Sequence, residues 1–326
     1  MGRAEDLAAE RYTQVQSISK GVVEAVQGLW RDVPADRILS AMQGETGRQI
    51  LNAVMAGQLS AAEGGQAFVS ASMLAQGAAA APLGTLNPRA LVGIASDARP
   101  LASLLQLPAI TTARSLAAGE SAEMAALRGL NQMAMMTGTQ IADTARAATS
   151  VAMTAHPRCV AYVRVVRLPA CARCIILSGR QYSHSTGFKR HPRCDCGMQP
   201  MAEGEWHQAQ SPADLLRQMS PEEQRKRLGP AGVKALENGA DLGQLVNARR
   251  GMATAVTGRG PMGVTTEGTT RRGIAGKSLD SGFQKGPGQR YERAKEARLM
   301  PETILKLAGD NREHQIAMLR KHGYIT

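Results

Sequence analysis

The sequence predicts a mainly α-helical protein with a small α+β C-terminal domain, in which short strands surround a cluster of cysteine and histidine residues. Its apolar residues (43%) are chiefly Ala, Leu, Val and Met, and aromatic residues make up only 3% of the chain. Small apolar side chains suit closely packed helices better than a sandwich or barrel of strands. Apolar residues also recur at steps of three or four through much of the first half, which is the period of a helix face.

Residues 1–156 are predicted to form a helical assembly region. The first helix carries apolar side chains along one face at Leu7, Val15, Ile18, Val22, Val26 and Leu29. A break around Pro34 ends it, and further helices follow. Four prolines in residues 82–108 predict a loop with short helical pieces, and a helical pattern over 111–155 stops at His156 and Pro157.

Residues 157–250 are predicted to form the small mixed domain. The stretch "CVAYVRVVRLP" alternates and is rich in β-branched residues, which predicts a strand. Ser220 is followed by Pro221, Glu222 and Glu223, which is the pattern of a helix N-terminus with a capping residue, a proline in the first turn and two acids near the positive end of the helix dipole.

The chain is predicted to end in two further segments. Residues 251–291 are rich in Gly, Thr and Arg and have few large apolar residues, which predicts a flexible basic arm. Residues 292–326 are predicted to form two terminal helices that separate at residues 309–311.

The positive charge lies in the second half. Residues 1–156 carry 11 Lys and Arg against 12 Asp and Glu, whereas residues 157–326 carry 28 against 15. This asymmetry predicts that the second half meets a polyanion or an acidic partner, while the first half packs or assembles. A solvated basic surface is the alternative.

No stretch approaches the about 18 uninterrupted apolar residues of a membrane span, so we expect no membrane partner. The start of the chain is charged where a secretory signal would be apolar. We therefore expect a cytosolic origin, where clustered cysteines indicate a metal site or redox chemistry before they indicate structural disulfides.

Four of the five cysteines and one nearby histidine form a candidate zinc site. Zinc takes four tetrahedral nitrogen or sulfur ligands, and a CxxC pair with a distant second pair satisfies that need. Five residues compete for the four positions, and His191 with one of the last two cysteines is an alternative second pair, since binding by both of those cysteines requires a strained turn. The candidate ligands are Cys171, Cys174, His191, Cys194 and Cys196.

Two other interpretations of the cluster stay open. The CxxC could be a redox pair, although the long helix that follows such a motif in thioredoxin-like proteins is not indicated here. The five residues could also form a thiol and histidine network without metal. A closed four-ligand zinc site would be structural, because it leaves no position for water. Cys159 is expected to be buried, and His184, His207, His314 and His322 are expected at the surface.

The cluster and the sequence after it resemble a known family. The motifs "CARC", "LSG" and "HPRCDCGMQP", followed by similar stretches to the C-terminus, resemble the phage Mu F-like minor head proteins of the head morphogenesis family, in the form found in phages of actinobacteria. The likeness covers about residues 140–326. The family usually has a basic residue between the last two cysteines, whereas Asp195 stands there in this chain.

The resemblance implies a structural minor capsid protein inside the phage head near the portal, with the host cytoplasm as its place of assembly. Portal and capsid proteins would be its partners, and it would assist assembly and DNA packaging or ejection. The basic second half could contact packaged double-stranded DNA through phosphates, without sequence specificity. The candidate contacts are Arg249, Arg250, Arg259, Arg271, Arg272 and Lys277.

We expect a non-enzymatic role, with a capsid maturation protease as the alternative. A serine protease would have to use Ser178 or Ser183 with His184 or His191. A metal-dependent nuclease is less favoured, because the only carboxylate near His191 is that of Asp195.

Overall fold

A computed structural model describes residues 2–204, 210–257 and 260–326. Its helices and small antiparallel sheets confirm the predicted class, a mainly α protein with a small α+β region. The chain divides into two compact units, of which the first comprises Met1–Arg167 and Ser178–Gln210 and the second Leu168–Leu177 and Ser211–Thr326. Among the described residues, no helix is long and apolar enough to cross a membrane.

Seven helices build most of the first unit as the structure describes it. They are α1 (Arg3–Arg31), α2 (Ile38–Gln43), α3 (Glu45–Glu63), α4 (Gly65–Ala75), α5 (Leu101–Leu105), α6 (Leu107–Ala117) and α7 (Ala122–Ala155). As predicted, the first helix ends before Pro34, and residues 82–108 hold only loops and short helices.

Helix α7 lies at the centre of this helical core and packs against α1, α3, α4 and α6. Ile50, Val54, Met133 and Ile141 are fully buried there. A Cβ atom added to Gly129 of α7 would lie 2.6 Å from Trp30 of α1, so this crossing depends on the absence of a side chain. Small residues let the helices approach closely, which is the packing that the Ala-rich composition predicts.

A three-stranded antiparallel sheet completes the first unit. Its strands are β1 (Ala161–Val165), β2 (Gln181–Ser183) and β3 (Gly197–Met201), in the order β2-β1-β3. Strand β3 packs on α1, α4 and α7, and the Gln76 amide at the end of α4 donates to the carbonyl oxygen of Pro200 at 2.8 Å. Residues 157–167 and 178–210 therefore belong with the helices, which is a different division from the predicted segments 1–156 and 157–250.

The second unit alternates short helices and short strands. In chain order these are α8 (Ala172–Ile175), α9 (Pro212–Gln218), α10 (Pro221–Glu237), α11 (Leu242–Ala248), β4 (Met252–Thr257), β5 (Gly260–Thr265), α12 (Ile274–Leu279), β6 (Phe283–Gln284), β7 (Arg293–Ala294), β8 (Arg298–Leu299), α13 (Pro301–Ala308) and α14 (Arg312–Lys321). The strands form a β4-β5-β8 sheet and a β6-β7 hairpin. Ala235, Met300, Ile304, Leu319 and Tyr324 form part of its core.

Two local predictions are confirmed in this unit. The Ser220 hydroxyl accepts from the backbone N–H of Glu223, and the Glu223 carboxylate accepts from the Ser220 N–H, so a capping box starts α10 with Pro221 in its first turn. The last two helices separate at Gly309, which adopts a positive φ of 56°.

The segment 251–291, for which composition predicts a flexible arm, contains β4, β5, α12 and β6. Backbone pairing orders it in place of large apolar side chains. The Thr265 hydroxyl donates to the carbonyl of Ala248 at 2.6 Å, and the Met300 N–H donates to the carbonyl of Gly263 at 2.9 Å. A low content of apolar residues does not exclude such pairing, because each residue carries its own backbone donor and acceptor.

Candidate metal centre

The loop that carries Cys194 and Cys196 is held by helix α7. The buried Arg146 guanidinium donates to the carbonyl oxygens of Cys196 at 2.8 Å and Cys194 at 3.2 Å, and Arg146 also pairs with Asp143 one turn earlier. The N–H of Arg193 donates to the Thr139 hydroxyl at 3.1 Å. Polar side chains of one long helix therefore fix the backbone on both sides of Cys194.

Arg164 approaches the same two cysteines from strand β1. Its Nη2 atom lies 3.4 Å from the Sγ atoms of both Cys194 and Cys196, and its side chain is almost fully buried. The guanidinium also lies 4.3 Å from the centroid of the Phe188 ring. A buried positive charge beside two sulfur atoms offsets the negative charge that they carry as thiolates.

Asp195, which stands between the last two cysteines, connects this loop to the first helix. The Tyr12 phenol of α1 donates to Asp195 Oδ2 at 2.7 Å. Burial raises the pKa of the Asp195 carboxyl above its usual range, and the Tyr12 hydrogen bond opposes that shift. The side chain between the two cysteines thus anchors the loop.

The CxxC pair is arranged by the short helix α8. Cys171 is its N-cap residue, and the Cys171 sulfur accepts from the N–H of Cys174 at 3.4 Å. Cys174 is buried, whereas Cys171 is partly exposed. A helix start of this kind turns two residues three positions apart in the same direction.

The predicted ligands are divided between the two units: Cys171 and Cys174 belong to the second, and His191, Cys194 and Cys196 belong to the first. Cysteine sulfur and histidine nitrogen are the donor atoms that structural metal sites of the zinc type use. The cluster could hold a metal ion. The residues concerned are Cys171, Cys174, His191, Cys194 and Cys196.

Binding by both of the last two cysteines is expected to require a strained turn, and the backbone directly before Cys194 is strained. Arg193, directly before Cys194, adopts a left-handed φ of 63°, which costs energy in a residue with a Cβ atom.

The four histidines that are predicted at the surface differ in their burial. His314 is exposed, as expected, and the half-buried His184 contacts the carbonyl oxygen of Val160 at 3.2 Å through Nδ1, while His207 lies outside the described residues. The prediction of a surface position is wrong for His322, which is 2% exposed. Its Nδ1 accepts from the N–H of Leu299, and burial lowers its pKa to about 4. Cys159 is buried, which confirms its prediction.

The candidate nucleic-acid contacts differ in their surroundings. Arg249 pairs with Glu302 at 2.7 Å, Arg250 lies 3.9 Å from Glu267, and Arg271 pairs with Glu292 at 2.5 Å. Arg272 and Lys277 are exposed, and Arg259 lies outside the described residues. Three of these cations are therefore partly neutralised within the protein, and the role of the set in nucleic-acid binding stays a prediction.

The serines of the alternative protease interpretation make other contacts. The buried Ser178 hydroxyl donates to the carbonyl oxygen of Gln210 at 2.9 Å, and Ser183 contacts the hydroxyl of Ser185 at 3.2 Å. The Nδ1 atom of His191 faces the carbonyl oxygen of Pro192 at 2.7 Å. These contacts do not favour Ser178 or Ser183 as a nucleophile.

A protein-family model matches the part of the chain that contains these cysteines. The family model described as VG15 protein matches residues 98–220, which include all five predicted ligands together with Asp143, Arg146 and Arg164. VG15 is a viral and phage family, so the match suggests a phage protein associated with the virion. No curated protein and no solved structure matches the chain.

Sequence reasoning missed the residues that position the ligands. A signal for two of them was present, because Asp143 and Arg146 are the only charged residues between positions 129 and 155 of an otherwise apolar and small-residue helix. Charged residues in a buried helix face need a partner, which here is the cysteine loop. Arg164 had a weaker signal, as a lone cation in a β-branched strand.

Proposed function

We propose that this chain is a structural minor capsid protein of a tailed phage, which lies inside the head near the portal and assists head assembly and DNA packaging or ejection. The observation that carries the proposal is the VG15 match, because it covers the cysteine and histidine cluster. The resemblance of the same motifs to Mu F-like minor head proteins supports the more specific role. Assembly would take place in the host cytoplasm, with the portal and capsid proteins as partners.

The cluster would hold a structural zinc ion. Four cysteines and a histidine supply the soft donors that zinc prefers, and Arg164 and Arg146 supply the positive charge and the loop support around two of them. When bound, zinc would cross-link ligands that are distant in sequence, which helps a polar, loop-rich stretch to keep one conformation.

The zinc proposal is tested by metal analysis of the anaerobically purified chain. We expect about one zinc per chain, because the cluster offers one four-ligand set. Cys174→Ser should abolish binding, since it removes the buried cysteine of the CxxC pair, whereas Cys159→Ser is a matched control at a buried cysteine outside the predicted ligands. Folded protein that contains no zinc and takes up none on addition would contradict the proposal.

The two halves of the chain would serve different partners. The near-neutral first half, built on the α1, α3, α6 and α7 core, offers helical surface for docking on the portal or capsid. The basic second half would lie against packaged double-stranded DNA. Arg272 and Lys277 are the exposed members of the predicted contact set.

The head location is tested in the phage itself. A stop codon early in the gene, complemented by suppression, allows particles with and without the chain to be purified and compared by mass spectrometry and electron microscopy. We expect the chain in purified heads and fewer DNA-filled heads without it. Its absence from heads at every stage would overturn the proposal. Cleavage of the capsid precursor by the purified chain, lost in Ser178→Ala or Ser183→Ala, would favour the maturation protease.

A further inference from the structure

The second unit contains a basic cleft, whose residues are far from the cysteines in the sequence. Residues 270–272 and the 285–292 loop line it, and its volume is about 610 Å³. The hairpin of β6 and β7 brings these segments together, because Phe283 pairs with Ala294 and Gln284 with Arg293, while Thr270 bridges to Arg293. Backbone pairing therefore holds both walls of the cleft.

The lining of the cleft is strongly positive. It contains four cations, Arg271, Arg272, Lys285 and Arg290, and one carboxylate, that of Glu292. Glu292 pairs with Arg271, whose guanidinium also lies 4.8 Å from the Phe283 ring centroid. Within the described parts of the chain, the other three cations form no ion pair. Three full positive charges thus face one cleft, and an anionic ligand would neutralise them.

An aromatic ring lies beside these charges. Tyr291 is 56% exposed, which is unusual for a large side chain in a protein with so few aromatic residues. The Arg290 guanidinium lies 5.2 Å from the centroid of the Tyr291 ring. Bases of unpaired nucleotides stack on exposed aromatic rings and on guanidinium planes, while neighbouring cations bind the backbone phosphates.

We propose that this cleft binds a nucleotide of a single-stranded nucleic acid, with phosphates on Arg272, Lys285 and Arg290 and a base stacked on Tyr291. Because aromatic residues are scarce, the composition of the chain as a whole does not favour binding of single-stranded nucleic acid. One ring at the edge of a three-cation cleft supplies the required combination locally. A base within a duplex has no free face for Tyr291, so stacking on Tyr291 distinguishes single-strand binding here from non-specific contact with double-stranded DNA, which would share Arg272 with this cleft.

Binding of a labelled oligothymidylate of about 12 nucleotides, followed by fluorescence anisotropy with the full chain, tests the proposal. Tyr291→Ala should weaken binding of the single strand about tenfold and leave binding of a duplex of equal length unchanged. Lys285→Gln and Arg272→Gln should weaken single-strand binding by several-fold each. Lys306→Gln and Arg225→Gln remove exposed charges elsewhere in the same unit and serve as matched controls.

Competition separates the possible sources of the ligand. Displacement of the oligonucleotide by thymidine monophosphate, lost in Tyr291→Ala, would support a site that accepts free nucleotides as well. Displacement by tripolyphosphate with no effect of Tyr291→Ala would overturn the proposal in favour of a phosphate-only site. Equal losses in cleft and control variants would overturn it as general charge attraction. None of these results depends on the location of the chain in the phage head.

Discussion

Among single side chains, Asp195 connects the cysteine loop to a distant helix. It stands between two candidate ligands and accepts a hydrogen bond from Tyr12 in the first helix. The contact joins residues 183 positions apart, so it restricts the loop more than a local contact would.

Tyr12→Phe should lower the free energy of unfolding by about 2 kcal/mol, because it leaves the buried Asp195 carboxyl without its donor. Urea unfolding of the full chain measures this change. Tyr291→Phe removes an exposed hydroxyl and should leave stability unchanged. A Tyr12→Phe protein as stable as the parent would show that the hydrogen bond contributes nothing.

Arg164 should increase the affinity for the metal although it is not itself a ligand. We expect Arg164→Met to weaken zinc affinity about 10- to 100-fold, because it removes the positive charge that lies beside two candidate thiolates. Competition with a chromophoric chelator measures the affinity. Arg164→Lys should recover part of it, and Arg180→Met, at an exposed position, is the control. Equal affinities in Arg164→Met and the parent would remove this role.

His322 should make stability depend on pH. Its pKa is about 4 in the folded chain and about 6.5 when unfolded. Between these two pH values the unfolded chain therefore binds a proton that the native chain does not bind. Stability should therefore fall as the pH drops from about 6.5 to about 4, by on the order of 3 kcal/mol. The titratable groups that influence it are Glu296, Lys321 and Arg298.

Unfolding measured across that pH range in His322→Asn and His314→Asn tests the assignment. The first variant should flatten the pH dependence, since it removes the buried imidazole. The second should retain the parental curve, because His314 is exposed in α14, the helix that His322 caps. Parallel curves for all three proteins would assign the pH dependence to other groups.

For helices and strands, the capping box at the start of α10 carries a measurable share of stability. Ser220→Ala should cost about 1 kcal/mol in the free energy of unfolding, whereas Ser220→Gly should cost only a few tenths. The difference arises because alanine disfavours the N-cap conformation and glycine tolerates it. Thermal unfolding of both variants would show a smaller loss for glycine, and equal losses would contradict the cap as the cause.

Pairing of short strands explains the departure from the predicted arm. Residues 251–291 have little apolar surface, yet β4 and β5 form six paired positions. The β5 strand also pairs with β8, so a distant part of the sequence completes the sheet. Long-range pairing of this kind leaves no local apolar signal for a composition argument to find.

For the chain as a whole, charge asymmetry makes a prediction about DNA. Affinity for a duplex should fall steeply with salt, with a slope in the logarithms of about 0.9 per phosphate neutralised. Titration of the full chain at several salt concentrations gives that slope, and Lys277→Gln should lower it slightly. Affinity that stays flat between low and moderate salt would remove double-stranded DNA as a direct partner.

Local patterns in the chain were sufficient for the fold class, the C-terminal ends of α1 and α7, the start of α10 and the strand through Arg164. Cysteine spacing also singled out five candidate ligands, whose role stays a prediction. Such features depend on neighbours within a few residues, so periodicity, capping residues and cysteine spacing reveal them. The support for the cysteine loop by Arg146, Tyr12 and Arg164, the burial of His322 and the cleft beside Tyr291 were visible only in the tertiary structure. Each depends on groups that are far apart in the sequence. A buried charge or a buried hydrogen-bond donor needs a partner, and the packing of the whole chain decides which group lies beside it.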